Sequence, residues 1–137
     1  MLDTTDHIPV LLDEVINSLS LKDEGFYVDA TFGLGGYSKK ILSIRNCNLL
    51  AIDRDPEAKK FAQPIKSSFK EKFTFVNGRF SELIKFLEDK KIKKVNGVVF
   101  DLGVSSPQLD KNERGFSFKS DGPLDMRMSL EGPTAEE

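Results

Sequence analysis

The chain has 137 residues, enough for one domain that buries roughly two-thirds of its unfolded surface. Apolar residues make up 39% and charged residues 31%, which excludes the disordered and membrane-embedded classes. A net charge of -2 provides no overall field to draw in nucleic acid, so such a partner has to be argued from local motifs.

Leu11, Leu12, Val15, Ile16 and Leu19 recur at helical spacing, and Pro9 suits a first turn, so residues 9–19 are predicted as an amphipathic helix. Strands and helices then alternate. Strands are predicted over 26–31, 48–53, 73–76 and 95–101, with helices over 37–44, 56–69 and 80–87; Pro64 is expected to kink or interrupt the second of these. Such alternation is the pattern of βαβ units, in which right-handed crossovers place helices on both faces of a parallel sheet. From Leu102 to Glu137 no period of two or 3.6 is visible, and the segment reads as loop. The lysines at 90, 91, 93 and 94 read as a solvated helix end.

The chemistry concentrates at the strand ends. Val28-Asp-Ala-Thr-Phe-Gly33-Leu-Gly35-Gly36 runs from a strand into a glycine turn and a helix, and Leu49-Leu-Ala-Ile-Asp53 ends in a carboxylate. A glycine turn lets the backbone approach a ligand, and an acid some twenty residues on can grip the two hydroxyls of a ribose, so the pair describes a nucleoside-cofactor site. A dinucleotide fingerprint needs a glycine or alanine where this chain has Ser38. The pattern therefore favours S-adenosylmethionine, which brings no pyrophosphate to a helix N-terminus, over a nicotinamide dinucleotide. The third and fourth strand ends add Asn77-Gly-Arg-Phe80 and Asp101, with Phe80 placed to lie on the adenine. One cysteine, Cys47, and one histidine, His7, exclude an internal disulfide and a Cys/His metal cluster, and no metal is expected. Met1–Asp6 lacks a signal-peptide pattern, and no apolar run reaches the roughly 18 residues of a membrane span. A cytoplasmic protein without membrane contact is the expectation.

The segments Phe100-Asp-Leu-Gly-Val-Ser-Ser-Pro-Gln-Leu-Asp110 and Glu113-Arg-Gly-Phe-Ser-Phe-Lys-Ser-Asp-Gly-Pro-Leu-Asp-Met-Arg-Met128, with His7–Glu14, Tyr27–Gly33 and Ala51–Pro56 upstream, closely resemble the 16S ribosomal RNA cytosine-N4 methyltransferases of the MraW or RsmH family. The resemblance covers nearly the whole chain. It implies a Rossmann-like, mostly parallel α/β sheet, here cut short after its fourth strand, with a partial S-adenosylmethionine domain over 1–108 and the loop-rich start of a substrate-side insertion over 109–137. It implies S-adenosylmethionine contacts from Gly35, Gly36, Tyr37, Asp53, Phe80, Asp101 and Gln108, with Tyr37 standing where the family usually has histidine. The expected reaction is methylation of the exocyclic N4 amine of a cytosine in the decoding region of 16S rRNA, so the expected partner is that RNA or the small ribosomal subunit.

Asp101 is the candidate catalytic residue, as a carboxylate near the cofactor able to accept the amine's hydrogens. Arg114, Lys119 and Arg127 are candidates for phosphate contacts. Phe116 and Phe118 would stack on a base or equally pin the loop to the sheet. The family's members are considerably longer, so residues 95–101 are expected to form an open apolar edge that pairs with a second copy or a complementing C-terminal polypeptide, or aggregates. A non-catalytic remnant that keeps a partial cofactor pocket is the alternative to an active enzyme.

Overall fold

The computed structural model describes residues 8–137; His7 and the Met1–Asp6 stretch lie outside the described residues. Four parallel strands, β1 (Phe26–Asp29), β2 (Asn48–Asp53), β3 (Phe73–Asn77) and β4 (Gly97–Val99), form one sheet in the order β3-β2-β1-β4. The order reverses between β1 and its two neighbours, so a crevice opens beyond the carboxyl ends of the central strands.

The strands are apolar without alternation because helices cover both faces. On one face Tyr27, Leu49, Ala51 and Phe73 pack with residues of α1 (Leu12–Leu19), α2 (Gly36–Ile44) and α3 (Lys59–Phe69). On the other, Val28, Leu50 and Ile52 meet Leu83, Phe86 and Leu87 of α4 (Leu83–Asp89). No helix among the described residues is long and apolar enough to cross a membrane.

The structure shifts several sequence expectations. The first helix begins at Leu12, because Leu11 is left-handed (φ 52°) and Pro9 stays outside the helix. The helix expected over 56–69 opens as a tight turn, Pro56–Ala58, and then runs unbroken through Pro64, which lies on its exposed side. β4 is shorter than the expected 95–101. Asn96 brackets its start by accepting from the Phe26 N–H through Oδ1 and donating its own N–H to Phe26 O. At its end the Asp101 N–H turns aside to the Thr31 hydroxyl oxygen at 2.7 Å. The lysines at 90, 91, 93 and 94 are all exposed.

The segment after Asp101 corrects the loop reading most. Ser105 and Gln108 cap a short helix, α5 (Ser106–Asp110), with Pro107 in its first turn, and a tight turn at Asn112–Arg114 follows. The chain then folds back, and the Met126 N–H donates to Arg114 O at 3.0 Å. Gly115 is the pivot, with φ +72° and the Pro123 carbonyl oxygen 2.3 Å from where a Cβ would stand. Gly115→Ala combines a left-handed cost of about 1–2 kcal/mol with a backbone collision. It is expected to raise hydrogen exchange across residues 112–128; unchanged exchange there would refute this account of the turn.

Candidate functional site

At the carboxyl end of the sheet lies a cavity of about 230 Å³. Its walls include Thr31 and Gly33 from the turn after β1, Gly36 at the start of α2, Asp53 at the end of β2 and Asp55 beyond it, Gly78 and Phe80 after β3, and Asp101 to Gln108 after β4. Asp53 and Asp101 thus share one cleft, together with Phe80, Gly36, Tyr37 and Gln108. Gly35 is the exception among the expected contact residues and does not line the cleft. It caps α2 at φ +83°, and a Cβ there would strike the Phe32 ring and Ile65, so its glycine character serves the packing of the turn.

Asp53 holds the turn in place. Its Oδ2 accepts from the Gly33 N–H at 2.6 Å and its Oδ1 from the Asp55 N–H at 2.8 Å. Burial pushes the Asp53 carboxyl above its usual range, and those two N–H groups pull against that rise. An ionised carboxylate offers about four acceptor positions, so two remain for hydroxyls in the cleft. Gly33 has φ +56°, and a Cβ there would meet only Thr31 O, at 3.9 Å, so the space beside its Cα belongs to the cleft.

Around that polar end the cleft is lined by apolar surface. Ala58, Phe61, Pro107 and Phe80 contribute, and Phe80 is set edge-on against Phe100 with ring centroids 5.4 Å apart. A carboxylate with unused acceptor positions, a turn with glycines at 33 and 36 on the cleft, and apolar walls suit a nucleoside without phosphate. The fit to S-adenosylmethionine rests on those features.

Tyr37 is buried, and its hydroxyl donates to Val10 O, tying α2 to the segment before α1. Burial raises its pKa, and Asp101 and then Asp29 add to the rise. Asp29 itself is fully buried behind the cleft, where its Oδ2 accepts from the Ser38 hydroxyl at 2.6 Å and its Oδ1 from the Thr31 N–H at 3.4 Å. Burial is the main cause that pushes its carboxyl up to about 6, with a smaller push from Asp53. Asp101 is exposed at the mouth, positioned by its backbone bond to Thr31.

Sequence reasoning missed Asp55 and misplaced Arg114. Asp55 is buried, and its Oδ2 accepts from both Gln108 Nε2 and Arg114 Nη1 at 2.9 Å. Arg114 is consumed by this buried cluster and is not free to meet phosphates. Arg127 is engaged as well, wrapped on Asp125 through Nε and Nη2, the closest approach being 2.7 Å. Lys119 is exposed. Phe116 is half-buried, with its ring centroid 6.0 Å from the Arg114 guanidinium carbon, while Phe118 is fully exposed. The Ser105-x-x-Gln108 capping pattern was the one local signal that this segment is ordered.

A family model described as the MraW methylase family matches residues 4–137. A ribosomal RNA small subunit methyltransferase H of Rhodospirillum rubrum is 49% identical over 131 residues, covering 96% of this chain and 40% of the relative. The protein of that name from Rickettsia felis is 53% identical over 131 residues, covering 96% of this chain and 42% of its own length. The chain therefore spans about two-fifths of the length of these relatives. A solved structure of an rRNA methylase from Streptococcus thermophilus superposes with a TM-score of 0.53 at 20% identity, over 66% of this chain and 53% of that one, a likeness of fold.

Proposed function

The chain belongs to the MraW methylase family, and from that premise we propose that it forms the S-adenosylmethionine-binding part of an enzyme that methylates small-subunit ribosomal RNA. The observation that carries this reading is the convergence of the glycine turn, Asp53, Phe80 and Asp101 on one cleft. The names of the relatives support ribosomal RNA as the substrate. The finer proposal is the exocyclic N4 amine of a cytosine in the decoding region of 16S rRNA.

In this reading Asp53 accepts from the ribose hydroxyls, and Phe80 and Phe61 bracket the adenine. The backbone of Gly33, Gly36 and Tyr37 clears the methionine portion, with Gly35 fixing the bend. Gln108 closes the cleft from the opposite side. Bound S-adenosylmethionine supplies a sulfonium that activates its methyl group. The work left to the protein is orientation, because the lone pair of cytosine N4 is delocalised into the ring and has to be turned toward the methyl carbon. Aligned geometry of that kind is worth several kcal/mol. Asp101, at the mouth, accepts a hydrogen of the amine and favours the charge that builds on nitrogen. The base has to leave its stack to enter, so single-stranded or distorted RNA is the fitting substrate.

Residues 109–137 stand as the beginning of the substrate-side region. Among the described residues β4 is paired on one side only, with β1. Its open edge supports pairing with a second copy or with a complementing C-terminal polypeptide, and a monomer in sedimentation at high concentration would count against this. The function is tested by incubating the chain, alone and with the C-terminal portion of a relative, with labelled S-adenosylmethionine and undermodified small subunits. Label in N4-methylated cytidine is expected. Cofactor binding without transfer in both mixtures would identify a binding module instead.

A further inference from the structure

Residues 102–137 contribute nothing to the two apolar clusters of the sheet domain. Yet Leu102 to Gln108 and Met128 line the cleft. What holds this strap is polar. Three of its side chains converge on two residues of the turn after β2. Gln108 Nε2 and Arg114 Nη1 both donate to Asp55 Oδ2 at 2.9 Å, while Glu57 accepts from Arg114 Nη1 at 3.0 Å and from Lys111 Nζ. The other end of the same guanidinium, Nη2, donates to the carbonyls of Arg127 and Met128, each at 3.1 Å. The side chains of Arg114 and Asp55 are 5% and 9% exposed.

Asp55 also connects to the opposite wall. Its N–H donates to Asp53 Oδ1, whose other oxygen holds the Gly33 N–H. A continuous series of bonds thus runs from the glycine turn through Asp53 and Asp55 to Arg114 and the backbone at 127–128. A buried ion pair contributes little net stability against an apolar replacement, but loss of one partner strands a charge and is strongly unfavourable. Such a link is therefore better suited to fixing the strap in one position than to holding the sheet together.

We infer that Arg114 is a positioning residue for the cleft: by bridging Asp55 to the carbonyls at 127–128 it sets Gln108 and Met128 as the wall opposite the glycine turn. The inference rests on the reading of this cleft as an S-adenosylmethionine site, and it has a consequence independent of any ligand. Without Arg114 the strap should open while the sheet stays intact.

The test compares the unaltered chain with Arg114→Met and with Asp55→Asn combined with Arg114→Met, by hydrogen exchange without ligand, thermal melting and titration with S-adenosylmethionine. Arg114→Met is expected to raise exchange across 105–130 while β1, β2 and β3 remain protected, and to weaken binding at least tenfold. The double variant removes the stranded carboxylate, so its melting temperature should recover toward that of the unaltered chain while affinity and strap protection stay low. Unchanged strap exchange in Arg114→Met would overturn the inference. So would affinity that recovers together with the melting temperature, or loss of β1–β3 protection in both variants, which marks a purely structural role. Failure of the unaltered chain to bind S-adenosylmethionine would instead count against the functional reading, and the exchange data would still decide whether Arg114 holds the strap.

Discussion

Asp53→Ala is expected to weaken S-adenosylmethionine binding by about tenfold to several hundredfold. A hydrogen bond to a charged group contributes about 1.5–3 kcal/mol, and the Gly33 and Asp55 N–H groups leave about two acceptor positions of this carboxylate for a ligand. The substitution also releases the Gly33 N–H, which Asp53 holds at 2.6 Å, so the turn loses its anchor at the same time. Asp53→Asn keeps one oxygen acceptor and should lose less. Calorimetric titration of both variants reads the order directly. Equal affinity of Asp53→Ala and the unaltered chain would remove Asp53 from the site.

The second large effect concerns pH. Asp29 is fully buried, and its carboxyl is pushed up to about 6 from an ordinary value of 3.8, burial being the largest cause. Between those values the folded chain binds a proton that the unfolded chain has released. The stability Asp29 contributes is therefore complete below about pH 4 and is lost as pH rises through about 6. A shift of that size corresponds to about 3 kcal/mol. Asp29→Asn is neutral at every pH and can still bond to Ser38 and the Thr31 N–H. Its stability relative to the unaltered chain should improve by up to about 3 kcal/mol from pH 4 to pH 8, as read by urea denaturation at both. A difference that does not change with pH would show that Asp29 titrates normally.

Much of this architecture was legible in the chain. Asn48–Asp53 was bounded to the residue because an apolar run closed by an acid admits few other readings once parallel strands are inferred. That Asp53, Phe80 and Asp101 line one cleft was legible for the same reason, since topology carries the ends of parallel strands to one side. Arg114 was not legible. A charged residue in a polar segment reads as solvated, and only the fold reveals that Asp55, 59 positions earlier, waits to pair with it. Tyr37 followed a similar rule, for its hydroxyl partner at Val10 lies 27 positions away. Long-range polar pairing leaves no local period. The glycines were only partly legible, because a sequence cannot separate Gly33, whose open side faces the cleft, from Gly35, whose open side is filled by Phe32 and Ile65.

The most direct measurement is calorimetric titration of the full chain with S-adenosylmethionine beside a matched titration with NADH. A saturable one-to-one heat with S-adenosylmethionine, competed by S-adenosylhomocysteine and absent with NADH, is the predicted result. Saturable binding of NADH, or no heat with S-adenosylmethionine at millimolar concentration, would contradict the assignment of the cleft.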